Sequence, residues 1–134
     1  MANLKKIEGI GDVYAAKLFE VGLVTTEALL NKCATPEGRK EIEAQTGIPH
    51  EKLLGWVNRA DLFRIKGVAE EYSDLLEAAG VDTVPELAQR NPIHLLNKLT
   101  EINTEKHLVR RLPTQREVSN WVDHAKVLPR KVMY

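Results

Sequence analysis

Residues 7–22 have the sequence IEGIGDVYAAKLFEVG, in which a glycine turn precedes an amphipathic segment. Gly9 and Gly11 bracket the turn, and the apolar residues that follow recur at helical spacing. Gly22 stands where a helix commonly ends with a residue in the left-handed conformation. The stretch therefore predicts a tight turn followed by a short helix with one buried face.

Signals that start and stop helices continue along the whole chain. Predicted N-terminal capping residues are Thr25, Thr35, Thr83, Asn91 and Thr114. Thr83 with Glu86, and Thr114 with Glu117, match the reciprocal capping box. Alternation of apolar and polar residues with the period of a strand is missing throughout, so the sequence predicts an all-α fold.

Composition limits the functional classes. The 134 residues include 19 Lys and Arg against 19 Asp and Glu, so the net charge argues against binding through overall positive charge. The single cysteine, Cys33, excludes an internal disulfide and suits a reducing compartment, and we expect it to be a small buried residue. Since neither a secretory signal nor a membrane-length apolar run is present, a cytoplasmic location is expected.

The segment 7–30 is similar to the segment 65–88 at an offset of 58 residues. Identical pairs are Ile7/Ile65, Gly9/Gly67, Tyr14/Tyr72, Leu18/Leu76, Gly22/Gly80, Thr25/Thr83 and Leu29/Leu87. Each half also ends in a similar helix, which contains Trp56 in the first half and Trp121 in the second. The sequence therefore predicts two tandem units, residues 1–62 and 63–134, which pack together because no flexible linker separates them.

The pattern Ile7-Glu-Gly9-Ile10-Gly11 resembles the helix-hairpin-helix motif, and Ile65-Lys-Gly67-Val68-Ala69 is its weaker second copy. With the stretches at 51–62 and 108–113, the chain resembles an uncharacterised family of small bacterial proteins with tandem helix-hairpin-helix, or SAM-like, units. The resemblance implies that the hairpins follow the phosphate backbone of a duplex without reading its bases.

A tight turn before a helix exposes backbone N–H groups at the positive end of the helix dipole, where a phosphate can bind. A phosphate track is possible if the fold gathers Arg64, Lys66, Arg110 and Arg111 on one face. The candidate nucleic-acid-binding residues are therefore Gly9, Ile10, Gly11, Lys17, Arg64, Lys66, Gly67, Val68, Arg110 and Arg111. Asp12 and Glu70 open the two helices, however, and a carboxylate there satisfies the dipole and repels phosphate. Purely structural hairpins are therefore the alternative.

The sequence contains no catalytic signature. His50, His94, His107 and His124 are too far apart to form a metal site, and neither a CxxC nor a Walker motif occurs. We therefore expect no enzyme activity, cofactor, metal or small-molecule substrate. Two functions remain: binding to duplex nucleic acid, which the hairpin favours, and assembly with another protein or with itself, which the balanced charge favours.

Two features have open interpretations. Trp56 and Trp121 occupy matching places, which favours a packing role, although an exposed anchor for a partner protein is the alternative. The C-terminal residues 127–134 are apolar and basic, so they either fold back on the core or dock on another chain.

Overall fold

The computed structural model describes residues 3–134, and these residues form helices and loops without a β-strand. A 3-10 helix at Leu4–Lys6 comes first. The α-helices of this part of the chain are α1 Asp12–Glu20, α2 Thr26–Cys33, α3 Pro36–Thr46, α4 His50–Leu62, α5 Glu70–Ala78, α6 Val84–Ala88, α7 Pro92–Lys106 and α8 Gln115–Val127. The predicted all-α fold is confirmed.

Helix starts follow the capping chemistry of the sequence. In α2, α3, α6, α7 and α8 the residue before the helix accepts a hydrogen bond from a backbone N–H of the first turn. The capping box of α8 is complete, because Glu117 also accepts from the Thr114 N–H. At α6 the Glu86 carboxylate accepts from the Thr83 hydroxyl instead, so this box differs from its prediction.

Two helices end at matching glycines. Gly22 has φ +85° after α1, and Gly80 has φ +90° after α5. The residue after each glycine donates back to a leucine carbonyl at 2.9 Å, from Leu23 to Leu18 and from Val81 to Leu76. An L side chain rarely adopts this backbone conformation, which is why glycine stops both helices.

The chain divides into two compact units. The first unit contains the described residues up to 61 together with 130–134, and the second contains residues 62–129. The sequence placed residues 130–134 at the end of the second half, whereas in the structure they belong to the first unit. The reason is long-range hydrogen bonding: the Met133 N–H donates to the Ala34 carbonyl at 2.7 Å, and Val132 is buried.

The first unit buries an arginine among its apolar residues. Arg39, in α3, is fully buried and donates to the carbonyls of Cys33 and Ala34 at the end of α2. Its guanidinium also donates to the Met133 carbonyl at 2.6 Å. A cation at the C-terminal end of a helix interacts favourably with the helix dipole, so Arg39 joins α2, α3 and the C-terminal residues.

A glycine lets α3 approach α2 closely. Gly38 is buried, and a Cβ built there would overlap the carbonyl oxygen of Lys32 in α2. An alanine at this position would therefore push the two helices apart.

The second unit has a mostly apolar centre in which α6 and α7 pack on α8, and α5 packs on α7. Its fully buried side chains include Leu75, Leu76, Leu87, Leu95, Leu99, Val118 and Val122. The α8 helix therefore holds this unit together, and its other face is available to shape a site beside the second glycine turn.

Candidate functional site

The two glycine turns have the same backbone geometry. Gly9 has φ +95° and Gly67 has φ +90°. The turn is closed by Ile10 N–H donating to the Ile7 carbonyl at 3.1 Å, and in the second unit by Val68 donating to Ile65 at 3.0 Å. All four of these apolar side chains are buried. Ile10 and Val68, nominated as binding residues, thus anchor their turns in the core through their side chains.

The helices after the turns start without a capping side chain. Gly11 and Ala69 occupy the cap positions of α1 and α5 with extended backbone, and within residues 3–134 no side chain accepts from the first-turn N–H groups. Asp12 and Glu70 are therefore first-turn acids and not caps. Since a Cβ on Gly11 would meet no described atom within 4 Å, Ala69 can replace a glycine here without distorting the turn.

Each turn glycine lies against the indole of a tryptophan. A Cβ built on Gly9 would lie 3.3 Å from Trp56 Nε1, and one built on Gly67 would lie 3.0 Å from Trp121 Nε1. Trp56 and Trp121 are only 6% and 2% exposed, which supports the packing interpretation. A tyrosine from the following helix completes each cluster, with ring centroids 5.1 Å apart for Tyr14–Trp56. The corresponding distance in the second unit is 5.2 Å.

Charges of both signs surround the first turn. Asp12 forms an ion pair with Lys5, which holds the pKa of this carboxyl below its usual value through a hydrogen bond and charge attraction. Glu8 is exposed directly before the turn glycine. The Lys52 ammonium lies 5.7 Å from the centroid of the Tyr14 ring. Lys17, a predicted binding residue, is exposed on α1.

The second turn borders an open cavity of about 440 Å³. The lining residues are Lys66, Gly67, Glu117, Asn120, Trp121 and His124. The first two belong to the turn, and the other four follow one face of α8 at the spacing i, i+3, i+4 and i+7. Two predicted binding residues, Lys66 and Gly67, therefore contribute to one concave site together with α8.

Hydrogen bonds orient the polar groups of this cavity. The backbone N–H of Lys66 donates to Nδ1 of His124 at 3.0 Å, so the neutral imidazole carries its hydrogen on Nε2. The side chains of Lys66 and Asn120 form no hydrogen bond or ion pair within residues 3–134, so their donors are available to a ligand. The cavity consequently offers an ammonium, an amide and an imidazole.

The single carboxylate of the lining is already bound. Arg111 donates from two guanidinium nitrogens to the two oxygens of Glu117, at 2.9 and 3.0 Å. The Thr114 N–H adds a third bond to this carboxylate. Hydrogen bonds from Arg111 and then from Thr114 lower the pKa of Glu117 to about 2. Glu117 therefore stays ionised at neutral pH, and Arg111 compensates its charge.

The other arginines predicted to bind occupy different surroundings. Arg64 donates to the Pro129 carbonyl at 3.1 Å, and Arg110 is exposed in the loop before α8. Arg111 contacts a lining residue, Glu117, but is not itself part of the lining. Arg64 and Arg110 are not among the lining residues either. Asn120 and His124 were missed by the sequence analysis, although their spacing from Trp121 along one helix could have revealed them.

Metal binding and thiol chemistry were also considered from the sequence, and both concern the part of the chain that the structure describes. It contains no group of three His, Cys, Asp or Glu side chains placed to hold a metal ion. Burial raises the pKa of the Cys33 thiol to about 11, so this residue stays protonated at neutral pH. Residues 3–134 also contain no helix with both the length and the apolar character needed to cross a bilayer.

Comparison with known families gives a match over most of the chain. The model of a family described as Domain of unknown function (DUF4332) matches residues 8–128, which is most of the chain. No curated protein and no solved structure matches.

Proposed function

The chain belongs to the DUF4332 family, a domain of unknown function, and we propose that it is a non-catalytic protein that binds the phosphate backbone of duplex nucleic acid. In this proposal it binds through the second glycine turn and does not distinguish base sequences. We interpret its two units as tandem helix-hairpin-helix, or SAM-like, units. Matching glycine turns at Gly9 and Gly67, each held against a buried tryptophan, support this interpretation.

The cavity beside Gly67 is the main support for this proposal, because hydrogen-bond donors line it. The helix that follows this turn has no side-chain cap in the described structure. Lys66 supplies a positive charge at its rim, and the Glu117 charge is compensated by Arg111. Phosphate contacts use such donors and are independent of sequence. The first turn has less positive charge available, because Glu8 occupies the position that matches Lys66 and Lys5 is paired with Asp12.

Fluorescence anisotropy with a labelled duplex tests the proposal. Binding at low salt should weaken as salt rises, with a slope of about one unit of log affinity per log salt for each phosphate contact. Lys66→Glu should reduce the affinity by about tenfold or more, and a duplex of scrambled sequence should bind equally well. Lys98→Glu, the same charge change at an exposed site on α7, is the matched control. Absence of binding at low salt, or equal effects of the two variants, would contradict the proposal.

A second candidate function, assembly with another copy of the chain, is favoured by exposed apolar side chains of the first unit. Val13, Phe19 and Val24 are 70%, 50% and 52% exposed. The residues 58 positions later are Glu71, Glu77 and Asp82, so these three exposed apolar side chains have charged residues at the matching positions of the second unit. Apolar side chains that are exposed to water are stabilised when a partner covers them.

Sedimentation equilibrium distinguishes this second candidate from nucleic-acid binding. Self-association through the exposed apolar side chains of the first unit should weaken in Phe19→Glu, whereas Glu77→Gln should change it little. A chain that stays monomeric across the accessible concentrations would remove this candidate without affecting the first.

A further inference from the structure

We propose that the cavity beside the second glycine turn binds a phosphomonoester and thereby recognises the phosphorylated end of a nucleic-acid strand. This inference rests on the proposed nucleic-acid binding and names the group that the cavity takes. It concerns the lining formed by Lys66 and α8, and not the backbone N–H groups of the turn.

The balance of donors and acceptors selects an anion. Lys66, Asn120 and His124 offer an ammonium, an amide and an imidazole Nε2–H. Glu117 accepts from Arg111 through both oxygens and from Thr114 through one, so its capacity to hold a cation is largely used. A ligand rich in acceptor oxygens therefore fits this cavity better than a cation or an apolar group.

The number of donors favours a phosphomonoester over an internal phosphodiester. A phosphomonoester has three terminal oxygens, whereas a phosphodiester within a strand has two. Three side chains, Lys66, Asn120 and His124, can each supply a donor from a different position in the lining. The dianionic charge of the monoester near neutral pH also strengthens its attraction to Lys66.

The volume of the cavity agrees with a group larger than phosphate alone. At about 440 Å³ it lies within the range of small-ligand sites, so the sugar attached to a terminal phosphate can enter as well. Trp121, which is 2% exposed, contributes only a small apolar part of the lining, and its indole is held against Gly67. The cavity thus matches a terminal nucleotide in both charge and size.

NMR titration of the two tryptophan indoles provides the test. Two trinucleotides of one sequence are compared, one with a 5′-phosphate and one with a 5′-hydroxyl. The phosphorylated form should shift the Trp121 indole signal with about tenfold higher affinity, which is the effect expected for one additional charge-assisted contact. The Trp56 indole, beside the first turn, is the internal control and should not move.

Asn120→Ala should remove most of the preference for the phosphorylated trinucleotide, because it deletes one donor from an exposed helix surface. Asn97→Ala, an exposed asparagine on α7, should keep the preference. Since both sites are exposed, both variants should fold, and a dispersed Trp121 indole signal before ligand is added verifies that the second unit is folded. Equal affinity for both trinucleotides, or an unchanged preference in Asn120→Ala, would overturn the inference.

A blunt duplex without terminal phosphates separates this inference from the function on which it rests. If the duplex binds and the trinucleotides show no preference, the strand-end inference fails and backbone binding stands. If the phosphorylated trinucleotide is preferred while the duplex does not bind, backbone binding fails and the phosphomonoester cavity stands.

Discussion

The two glycine turns share a backbone but differ in the charges around it. Glu8 precedes the first turn glycine, whereas Lys66 precedes the second. The third residue of the tryptophan helix is Lys52 in α4 and Glu117 in α8. The turn is fixed by the glycine conformation, the buried isoleucine or valine and the indole. The exposed residues around it can carry a charge of either sign. The scaffold and the chemistry of these turns are therefore separable.

The same comparison explains why the proposed ligand site belongs to the second unit. The residue before Trp56 is Gly55 and the residue before Trp121 is Asn120. Three residues after each tryptophan lie a buried Arg59 and a half-buried His124, which lines the cavity. The matching positions of the second unit thus carry donors that line a cavity, although both turns present the same backbone.

Gly38→Ala should have the largest effect, because it breaks the first unit at a contact that the second unit lacks. Its Cβ would overlap the Lys32 carbonyl, so α2 and α3 must separate at a cost of about 3 kcal/mol. The corresponding third residue of α7, His94, is exposed, and His94→Ala is the control. Urea unfolding measures both. A loss below about 1 kcal/mol in Gly38→Ala would show that the helices adjust easily.

Arg39→Leu tests a second difference between the units. Arg39 is the fourth residue of α3 and Leu95 the fourth of α7, and both are fully buried. The variant places an apolar residue at this position, as in the second unit, but leaves the carbonyls of Cys33, Ala34 and Met133 without their charged donor. We expect a loss of about 2 kcal/mol in unfolding free energy.

A double-mutant cycle shows whether Arg39 acts through the C-terminal residues. Deletion of residues 130–134 should also destabilise the protein, and the two changes together should cost less than their sum. Strict additivity would mean that the 2.6 Å contact between Arg39 and Met133 contributes little.

Alanine substitutions at the turn glycines test how closely the two turns correspond. Gly9→Ala and Gly67→Ala should each cost about 1–3 kcal/mol, because both residues have φ near +90°. The loss should be greater at Gly67, where the Cβ would lie closer to the tryptophan Nε1. Gly11→Ala should be neutral or stabilising by up to about 1 kcal/mol, since its backbone is extended and the site is open. Equal losses at all three positions, measured by urea unfolding, would contradict the correspondence.

The sequence predicted those features that depend on neighbouring residues. Helix starts at Thr25, Thr35 and Thr114, and helix stops at Gly22 and Gly80, follow from local hydrogen bonding and backbone conformation. Burial of the two tryptophans followed from their matching places. These predictions succeeded because the physical cause lies within a few residues of the effect.

The cavity and the buried arginine depend on contacts between distant residues. Lys66 meets His124 across 58 residues, and Arg39 meets Met133 across 94, so neither contact has a local signal. The predicted phosphate track assumed that the fold gathers Arg110 and Arg111 on one face with Lys66, which joined Arg111 to the predicted phosphate contacts. In the structure Arg111 holds Glu117, which shows that a local excess of positive charge does not establish a free cation.

Glu117→Gln has the smallest expected effect. Its pH dependence tests whether the opposite charges of Lys52 in α4 and Glu117 in α8 affect stability. The folded-state pKa of Glu117 is about 2, below the usual 4.5, so its ion pair contributes stability above about pH 4.5 that is lost as the pH falls through 2. Because the carboxylate is about one-third exposed, we expect a loss of only about 1 kcal/mol at pH 7.

The difference between the wild type and Glu117→Gln should be mostly lost at pH 2 and vanish below it, and it should shrink in high salt because exposed ion pairs are screened. Lys52→Gln, at the same position of α4, should change stability little at either pH, because it removes only a cation 5.7 Å from the centroid of the Tyr14 ring. A loss at pH 7 that persists unchanged at pH 2 would mean that the shape of the side chain, and not its charge, stabilises the start of α8. The charge of Glu117 would then not contribute to stability. The difference in charge between the two turns would matter only for ligand binding.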